Sequence, residues 1–234
     1  MSLEIDIHSA QTAILRELLF HPSAGFAELQ KPTGLDSDHF KFHIARLVEL
    51  NYIEKTENKK YRLTTSGKEY SNRLDTDKNT IEKQPKLSVV LVIEREDGKI
   101  LQQERLKQPY YGFWGFPTGK VGWGEKLLDA AARELMEETG LQAELRVSGL
   151  FHKMDYSKTR NNLLEDKYFA IIHGVNPFGD FVSDMEGHHN EWLAHEEVNS
   201  KDKVFESIIE TAEIAKGRNY DYIEKAYFYD IEEY

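Results

Sequence analysis

Apolar positions recur with a helical period over the first 51 residues of the chain. Residues 8–20 predict one helix, residues 24–30 a short second helix, and residues 36–51 a longer third helix. Pro32 and Gly34 interrupt the pattern and indicate a turn before the third helix. The third helix is expected to bury one stripe of side chains, formed by Phe40, Ile44, Leu47 and Val48.

The pattern changes to short strands after the third helix. Residues 52–56 and 61–64 predict two strands around a charged tip, which is typical of a hairpin, and Ser66 opens a last helix to about Leu74. The order helix, helix, turn, helix, hairpin, helix resembles that of winged helix-turn-helix regulators. This resemblance implies an N-terminal α+β winged helix-turn-helix domain over residues 1–75.

The region after residue 75 begins with a different composition. Residues 76–86 are polar, contain a proline and lack periodicity, so we interpret them as a linker. A second domain over residues 87–234 is predicted to contain strands that alternate with helices, which indicates a mixed sheet covered by helices on both faces. The predicted strands cover residues 87–94, 100–105, 143–151 and 168–175, the helices 127–139 and 201–216, and a glycine-rich loop 112–124.

Charge is distributed unevenly between these two regions. The chain has a net charge of −11, of which residues 1–80 contribute −1 and residues 86–234 contribute −10. An acidic protein does not attract phosphate groups by itself. A phosphate-containing ligand would therefore need a cation to assist its binding to the second region.

Cysteine usage and apolar runs limit the class of protein. The chain contains no cysteine, which excludes disulfides and thiolate metal sites. The first residues are acidic and show no signal-peptide pattern, and the longest apolar run, residues 89–93, is too short to span a bilayer. We therefore expect a cytoplasmic protein without a membrane partner.

Three glutamates share one face of the helix predicted over residues 127–139. Glu134, Glu137 and Glu138 stand at positions i, i+3 and i+4, where like charges repel by about 0.2–0.5 kcal/mol per pair. A bound cation would compensate this repulsion, whereas an ordinary solvated face is the simpler alternative. The apolar stripe that packs this helix onto the sheet is expected to be Leu128, Ala131, Ala132 and Leu135.

Two further charges flank this glutamate cluster. Arg133 precedes Glu137 by four residues and is expected to brace it with a two-pronged contact. Glu125 lies at the helix start, where a negative charge is favoured, and offers a second acceptor to Arg133.

The whole segment decides between the cation site and the solvated face. It follows the pattern Gly119-x5-Glu125-x7-Arg133-Glu134-Leu135-x-Glu137-Glu138-x-Gly140-Leu141, and this pattern resembles the Nudix box at every fixed position. The resemblance extends over residues 87–216 and includes the approach Trp114-Gly-Phe-Pro117. Thr118 departs from the family, which often has glycine there. The resemblance implies an α/β Nudix fold, with a mixed sheet sandwiched between helices, and hydrolysis of a diphosphate linkage.

The resemblance also implies a set of metal ligands. Glu134, Glu137 and Glu138 match the family's carboxylate ligands, and the carbonyl of Gly119 joins them. Hard oxygen ligands of this kind favour Mg²⁺, with Mn²⁺ as the alternative.

Catalytic roles follow from the same resemblance. Arg133 and Glu125 match the family's orienting pair, and Glu134 is one candidate for the general base. Glu186, six residues before Trp192 in a downstream loop, is the other candidate, and an ordinary loop acid is the alternative interpretation. Weaker rivals for the downstream acid are Glu191, Glu196 and Glu197.

Candidate substrate contacts lie next to the box. Arg105 and Lys120 are candidates for binding phosphate, and Tyr111 and Trp114 for stacking on a base. Ordinary surface charge and loop packing are the alternatives for these side chains. Nucleoside triphosphates, ADP-ribose-like compounds and sugar nucleotides all stay open as substrates.

A second function is open for the chain, that of a DNA-binding transcriptional regulator whose Nudix domain senses a nucleotide metabolite. Lys41, His43, Arg46 and Lys60 are the candidate DNA contacts, although a net charge of −1 is unusual for a DNA-binding domain. Retention of every box residue favours hydrolysis. We also expect a homodimer, and we expect the aromatic stretch 220–229 to cover the core or a partner subunit.

Overall fold

The computed structural model describes residues 8–232 and residue 234. The chain divides into two compact units, the first ending at Lys83 and the second spanning Gln84–Tyr234. In the described part of the chain, no helix is long and apolar enough to cross a membrane.

From residue 8 onwards, the first unit contains four α-helices, one turn of 3₁₀-helix at Lys31–Thr33 and two small hairpins. Its elements are α1 Ser9–Phe20, α2 Phe26–Gln30, α3 Ser37–Glu49, β1 Ile53–Lys55, β2 Tyr61–Leu63, α4 Thr65–Ser71, β3 Leu74–Asp75 and β4 Thr80–Ile81. Strand β1 pairs antiparallel with β2. The helices and the first hairpin enclose a core whose fully buried members include Leu15, Leu29, Phe40, Leu47 and Ile53.

Two details of this unit differ from the sequence interpretation. Val48 is 43% exposed, because it lies at the margin of the stripe that Phe40, Ile44 and Leu47 form. Helix α4 begins one residue before the expected Ser66, because the hydroxyl of Thr64 accepts a hydrogen bond from the Gly67 N–H at 3.0 Å and so caps the helix there.

The segment interpreted as a linker, residues 76–86, is not uniformly irregular. Leu74, expected at the end of the last helix, pairs instead with Ile81 in the hairpin of β3 and β4. Asp75 accepts hydrogen bonds from two backbone N–H groups of the connecting turn, at 3.0 Å each, which fixes that turn.

The second unit contains nine strands and three helices within its described residues. Its strands are β5 Lys86–Ile93, β6 Ile100–Arg105, β7 Trp114–Gly115, β8 Thr118–Lys120, β9 Leu141–Ser157, β10 Leu163–Gly179, β11 Asp184–Met185, β12 His188–Leu193 and β13 Asp221–Tyr229. Its helices are α5 Leu127–Thr139, α6 His195–Asn199 and α7 Ile208–Lys216.

Two sheets organise this unit. The larger sheet has the order β13-β9-β10-β5-β8 and is mixed, because β10 pairs parallel with β5 and β13 pairs parallel with β9. The smaller sheet has the order β11-β12-β6-β7 and is antiparallel. Helix α5 packs with Val89 and Leu91 on one face of β5, and α7 packs with Val90 on the other face. The mixed sheet covered by helices on both faces is therefore confirmed.

Several strands and helices begin or end at other residues than the local sequence pattern predicted. Strands β9 and β10 each extend over 17 residues, because they pair along most of their length and absorb register shifts, for instance between Ile171 and Ile172. The last predicted helix, 201–216, is confined to α7. The aromatic stretch 220–229 forms β13 and covers the core of its own chain, where Tyr227 and Tyr229 are buried.

Helix α5 is rotated relative to the expected apolar stripe. Ala130, Glu134 and Glu138 are spaced four residues apart and form one ridge, which faces β8 and β6. Leu128 is consequently 41% exposed, and Ala132 is exposed as well. Glu134 and Glu138 are thus directed into the protein, whereas Glu137, whose side chain is 60% exposed, faces solvent.

Candidate active site

Arg133 and Glu125 connect helix α5 to the loop that precedes it. The guanidinium donates two hydrogen bonds to the two carboxylate oxygens of Glu125, at 2.8 and 2.9 Å. The backbone N–H of Gly122 donates a third, at 2.7 Å. These donors, Arg133 first, lower the pKa of Glu125 to about 2. The two-pronged contact that we expected for Glu137 is therefore made with Glu125.

The same guanidinium contacts the glutamates of the helix. Its Nη1 lies 2.8 Å from Oε1 of Glu134 and 3.1 Å from Oε2 of Glu137, and its Nη2 donates to the carbonyl of Lys120 at 3.1 Å. The hydrogen bonds to Glu125 and Glu134 raise the pKa of Arg133 above its ordinary value. One cation therefore contacts three carboxylates of the box.

Gly119 is required by the position of Glu134. A Cβ atom at residue 119 would lie 2.0 Å from both Cγ and Cδ of Glu134, far inside van der Waals contact. Gly119 pairs with Val89 across β8 and β5, so its backbone position is fixed by the sheet. The absent side chain thus lets the carboxylate of Glu134, which is 13% exposed, lie against the backbone of the loop.

Glu138 is held by a second group of residues, which sequence reasoning missed. The amide of Gln103 donates to its Oε2 at 2.9 Å, and Nδ1 of His188 lies 3.4 Å from the same oxygen. The Glu138 carbonyl interacts with Nε2 of His188 at 3.0 Å and accepts from the amide of Asn190 at 2.7 Å. His188 and Asn190 point to one face of β12, and this alternation is the sequence signal that could have identified them.

The carboxylates do not converge on one point as the helical spacing suggested. Glu134 and Glu137 are directed to Arg133, and Glu138 to Gln103. Among residues 8–232 and 234, no group of three or more histidines and acids is arranged to hold a metal ion. The oxygen donors expected for Mg²⁺ are present, but they are engaged by protein cations and amides.

Glu186 lies apart from this network. It is exposed in the tight turn between β11 and β12, and the next residue, Gly187, accepts a hydrogen bond from the Leu106 N–H at 2.9 Å. Two of its rivals form ion pairs with lysines, Glu191 with Lys201 at 2.8 Å and Glu197 with Lys99, which directly precedes β6, at 3.5 Å. Glu186 and the third rival, Glu196, are both exposed and take part in neither of these ion pairs, so the contacts with lysine set aside only Glu191 and Glu197.

Arg105 lies at the end of β6 with its guanidinium turned inwards. It donates to the carbonyl of Pro109 and, at 3.4 Å, to that of Gln108. Burial lowers the pKa of Arg105. The side chain is therefore a partly buried cation held by backbone carbonyls.

The other candidate substrate contacts differ in exposure. Trp114 is only 7% exposed, and the ammonium of Lys201 lies 3.9 Å from the centroid of its ring, so this indole packs in the core and is not free to stack on a base. Tyr111 is 54% exposed and Lys120 is exposed. Of the two candidates for stacking, Tyr111 is therefore the one whose ring a ligand can reach.

The candidate DNA contacts of the first unit are mostly engaged in local interactions. Lys41 and Arg46 each form an ion pair with an acid three residues away on α3, at 2.9 and 2.7 Å. His43 stacks on His8 with ring centroids 4.6 Å apart, and burial lowers its pKa. Lys60 is exposed at the tip of the first hairpin. The local positive charge of this surface is therefore largely compensated.

Comparison with known proteins supports the assignment of the box. The model of the NUDIX domain matches residues 84–211, more than half of the chain. The chain is 37% identical over 131 residues to an ADP-ribose pyrophosphatase of Methanocaldococcus jannaschii, an alignment that covers 54% of this chain and 77% of that protein. It is 38% identical over 68 residues to an RNA pyrophosphohydrolase of Cereibacter sphaeroides, covering 29% of this chain and 40% of that protein.

A solved structure shows the same fold. The MutT protein of Bacillus halodurans superposes with a TM-score of 0.51 and 18% sequence identity, covering 63% of this chain and 92% of that one. At this level of identity the similarity concerns the fold, which agrees with the mixed sheet and its two covering helices.

Proposed function

The chain belongs to the Nudix family, and on this premise we propose that it is a pyrophosphatase that cleaves the diphosphate linkage of a nucleoside diphosphate derivative. The Arg133 network carries this proposal, since it joins the loop and the helix of the box through Glu125 and Glu134. The similarity to an ADP-ribose pyrophosphatase favours a compound of the ADP-ribose type over a nucleoside triphosphate.

A divalent cation, Mg²⁺ or alternatively Mn²⁺, fits the chemistry of this site. Glu125, Glu134 and Glu137 share the single positive charge of Arg133, which does not neutralise all of these carboxylates. The carboxylate of Glu138 adds to this excess of negative charge. We assign Glu134, Glu137, Glu138 and the Gly119 carbonyl as ligands, which requires Arg133 to release Glu134 and Glu137 while it keeps Glu125. The space that the missing side chain of Gly119 leaves for Glu134 supports this assignment, because it brings the carboxylate against the backbone of residue 119.

The reaction needs a water molecule, a base and charge neutralisation on the diphosphate. A bound divalent cation would supply the neutralisation. Glu134 accepts a proton from the water molecule as the water oxygen bonds to one phosphorus of the diphosphate. The bond from that phosphorus to the bridging oxygen breaks, which gives two monophosphate products. Glu186 is the alternative base, and the kcat values of Glu134→Gln and Glu186→Gln would distinguish them: the variant of the base loses kcat by orders of magnitude at saturating metal.

Three side chains beside the box are proposed substrate contacts. Arg105 and Lys120 bind phosphate oxygens, because both present positive charge near the box loop. Tyr111, which is 54% exposed, stacks on the base. Trp114 supports the loop from the core and does not contact substrate.

For the first unit we propose a winged helix-turn-helix domain, and with it a second function in DNA binding. The order α1, α2, α3 followed by the β1–β2 hairpin supports the domain assignment. The paired charges of Lys41 and Arg46 weigh against strong DNA binding. Fluorescence anisotropy with labelled duplex DNA tests this function: an affinity in the micromolar range or better that Lys60→Glu weakens would support it, and no binding at low salt would refute it.

The enzyme proposal is tested with purified protein and a panel of ADP-ribose, sugar nucleotides, NADH and nucleoside triphosphates, each with Mg²⁺ or EDTA. We expect turnover of an ADP-ribose-type compound that EDTA abolishes. The Glu138→Gln protein should fold normally and lose most of this turnover. Absence of turnover for every compound, or full turnover by Glu138→Gln, would refute the proposal.

A further inference from the structure

Strand β13 forms one outer edge of the larger sheet. It pairs with β9 on one side, over nine residues and without a register shift. The outer strand at the opposite edge, β8, is only three residues long. A long and regular outer strand presents a row of unpaired backbone groups, so β13 is the edge of this sheet to which another strand can pair.

The backbone groups at the free edge of β13 can be identified from its pairing with β9. The carbonyl of Tyr229 accepts a hydrogen bond at 2.9 Å from the N–H of Lys158, which directly follows β9. Both backbone groups of a strand residue point to the same side, and this side alternates along the strand. The residues that direct N–H and C=O away from β9 are therefore Tyr222, Glu224, Ala226 and Phe228.

Strand β13 lacks the features with which natural proteins protect such an edge. It contains no proline, and its pairing with β9 has no bulge. Lys225 is turned to the α7 face, where it donates to Glu210, and Glu224 is turned to His152 of β9, at 2.7 Å. Tyr222 and Phe228 are 52% and 44% exposed. The free edge is therefore regular and flanked by apolar surface, as expected of a strand that is covered in solution.

We propose that a second copy of this chain covers this edge, with the two β13 strands antiparallel about a two-fold axis at Lys225. A two-fold axis perpendicular to the sheet makes two equal strands antiparallel and keeps each side chain on its own face. The pairing joins two five-stranded sheets into one continuous sheet. This inference is independent of the proposed function.

The position of the axis follows from the strand itself. Residues opposite each other lie on the same face, so the axis passes through one residue, and the middle residue, Lys225, is the one that lets all nine residues pair. Lys225 directs its backbone groups to β9, so the hydrogen-bonded pairs lie on either side of it. These pairs are Glu224 with Ala226 of the second copy and Tyr222 with Phe228 of the second copy. Every outward backbone group of both strands is then satisfied.

The side chains that face away from α7 fit this register. Phe228 stacks on Tyr156 of β9, with ring centroids 5.6 Å apart, and Tyr222 of the second copy lies opposite Phe228. Aromatic pairs opposite each other stabilise antiparallel strands. An axis at Glu224 would instead place this carboxylate opposite its own equivalent, which is unfavourable.

The α7 face places Lys225 opposite its own equivalent. Like charges in this position are destabilising. Each Lys225 ammonium is paired with Glu210 of its own copy, which compensates its charge. The axis at Lys225 is therefore compatible with the charges on both faces of the strand.

Sedimentation equilibrium of the full chain at micromolar concentrations tests whether the dimer forms through this edge. We expect a mass of twice 27.2 kDa. Ala226→Pro removes an N–H that points outward and leaves the hydrogen bonds to β9 in place, so the dissociation constant of the dimer should rise about 10-fold or more through the loss of two hydrogen bonds. Ala226→Val keeps this donor and is the matched control, with an unchanged dissociation constant.

Single cysteines test the register, because the chain has no cysteine of its own. In Lys225→Cys the two thiols meet at the axis, where Cα atoms of a non-hydrogen-bonded pair lie about 4.5 Å apart, within the range of a disulfide. In Glu224→Cys and Ala226→Cys the thiols are offset by about 7 Å along the strands in addition to the spacing of about 4.8 Å between them, which is too far. We expect mild oxidation to link Lys225→Cys into a covalent dimer and to leave the other two variants unlinked.

A monomeric wild type would overturn the inference, as would a wild-type dimer that a folded Ala226→Pro protein forms equally well. Circular dichroism checks the fold of this variant, and the cysteine variants decide the question if it does not fold. A covalent dimer of Lys225→Cys supports the proposed pairing. Faster linking of Glu224→Cys or Ala226→Cys would overturn the axis at Lys225, and no linking of any of the three would overturn the interface.

Discussion

Replacement of Gly119 by alanine tests the position of Glu134 with the smallest change the chain allows. The added Cβ would lie 2.0 Å from Cγ and Cδ of Glu134 and 2.4 Å from its Oε2. These atoms belong to a flexible side chain, whereas the backbone of β8 is held by its pairing with β5. The glutamate must therefore yield, and an ordinary contact of 3.4 Å requires a displacement of about 1.4 Å.

A displacement of this size should remove most of the activity and little of the stability. A misplacement of about 1 Å in a catalytic group can cost about 100-fold in rate. We therefore expect kcat/KM of Gly119→Ala to fall about 100-fold or more, together with loss of the 2.8 Å hydrogen bond between Arg133 and Glu134. The midpoint of thermal unfolding should change by only a few degrees, since the new methyl group displaces no backbone.

The assay is kcat/KM for ADP-ribose in saturating Mg²⁺, with thermal unfolding measured on the same samples. Gly25→Ala is the control, because its Cβ would meet Glu28 Oε2 at an ordinary 3.4 Å and the residue has a φ of −79°. Wild-type kcat/KM in a folded Gly119→Ala protein would refute the reasoning. Extensive destabilisation would also refute it, because the strand rather than Glu134 would then have yielded.

Three further predictions concern the same site. Arg133→Lys cannot reproduce the fork on Glu125, so we expect about a 10-fold lower kcat/KM in a folded protein, and unchanged kinetics would contradict this role. The pKa of Glu125 is lowered from its ordinary value of 4.5 to about 2, so the stability that its ionised form contributes is complete above pH 4.5 and is lost as the pH falls towards 2. The difference in unfolding temperature between wild type and Glu125→Gln should therefore stay constant from pH 7 to 5 and shrink below pH 4.5. A difference that already shrinks between pH 7 and 5 would argue against the pairing of Glu125 with Arg133. Asn190→Ala should weaken binding of Mn²⁺ to the substrate-free protein about 10-fold or more, as measured by electron paramagnetic resonance, while the exposed Asn176→Ala should not; equal affinities would exclude a positioning role for Asn190.

The parts of the site that the sequence predicted are local ones. Helix α5 has the expected limits, 127–139, because its apolar period and the glycine at residue 140, with a φ of 73°, are both visible in one segment. The contact between Arg133 and Glu125 was likewise predicted, because the two residues lie only eight positions apart in the sequence. Even here we predicted the two-pronged contact for Glu137, because spacing along a helix does not reveal that the preceding loop folds back and brings Glu125 to Arg133.

Other features depend on distant pairing and escaped prediction. Strand β9 was expected to end near residue 151 but continues to Ser157, because β10 and β13 supply hydrogen-bond partners on both of its sides. The ammonium of Lys153 and the carboxylate of Asp155 form a buried ion pair on this continuation. Alternation along β9 would have placed both side chains on one face, but the aromatic rings around Lys153 come from elements as distant as β13.

The two ends of the glutamate face differ in how they are held. Near the start of α5, Glu125 and Glu134 are oriented by Arg133 within the box itself. At the end of α5, Glu138 is oriented by Gln103 and by residues of β12, which lie 35 to 52 positions away. The box sequence therefore specifies the first half of the site by itself and the second half only when β6 and β12 pair. A substitution that disturbs this pairing should misplace Glu138 while every residue of the box stays in the sequence, so an intact box does not by itself establish an intact site.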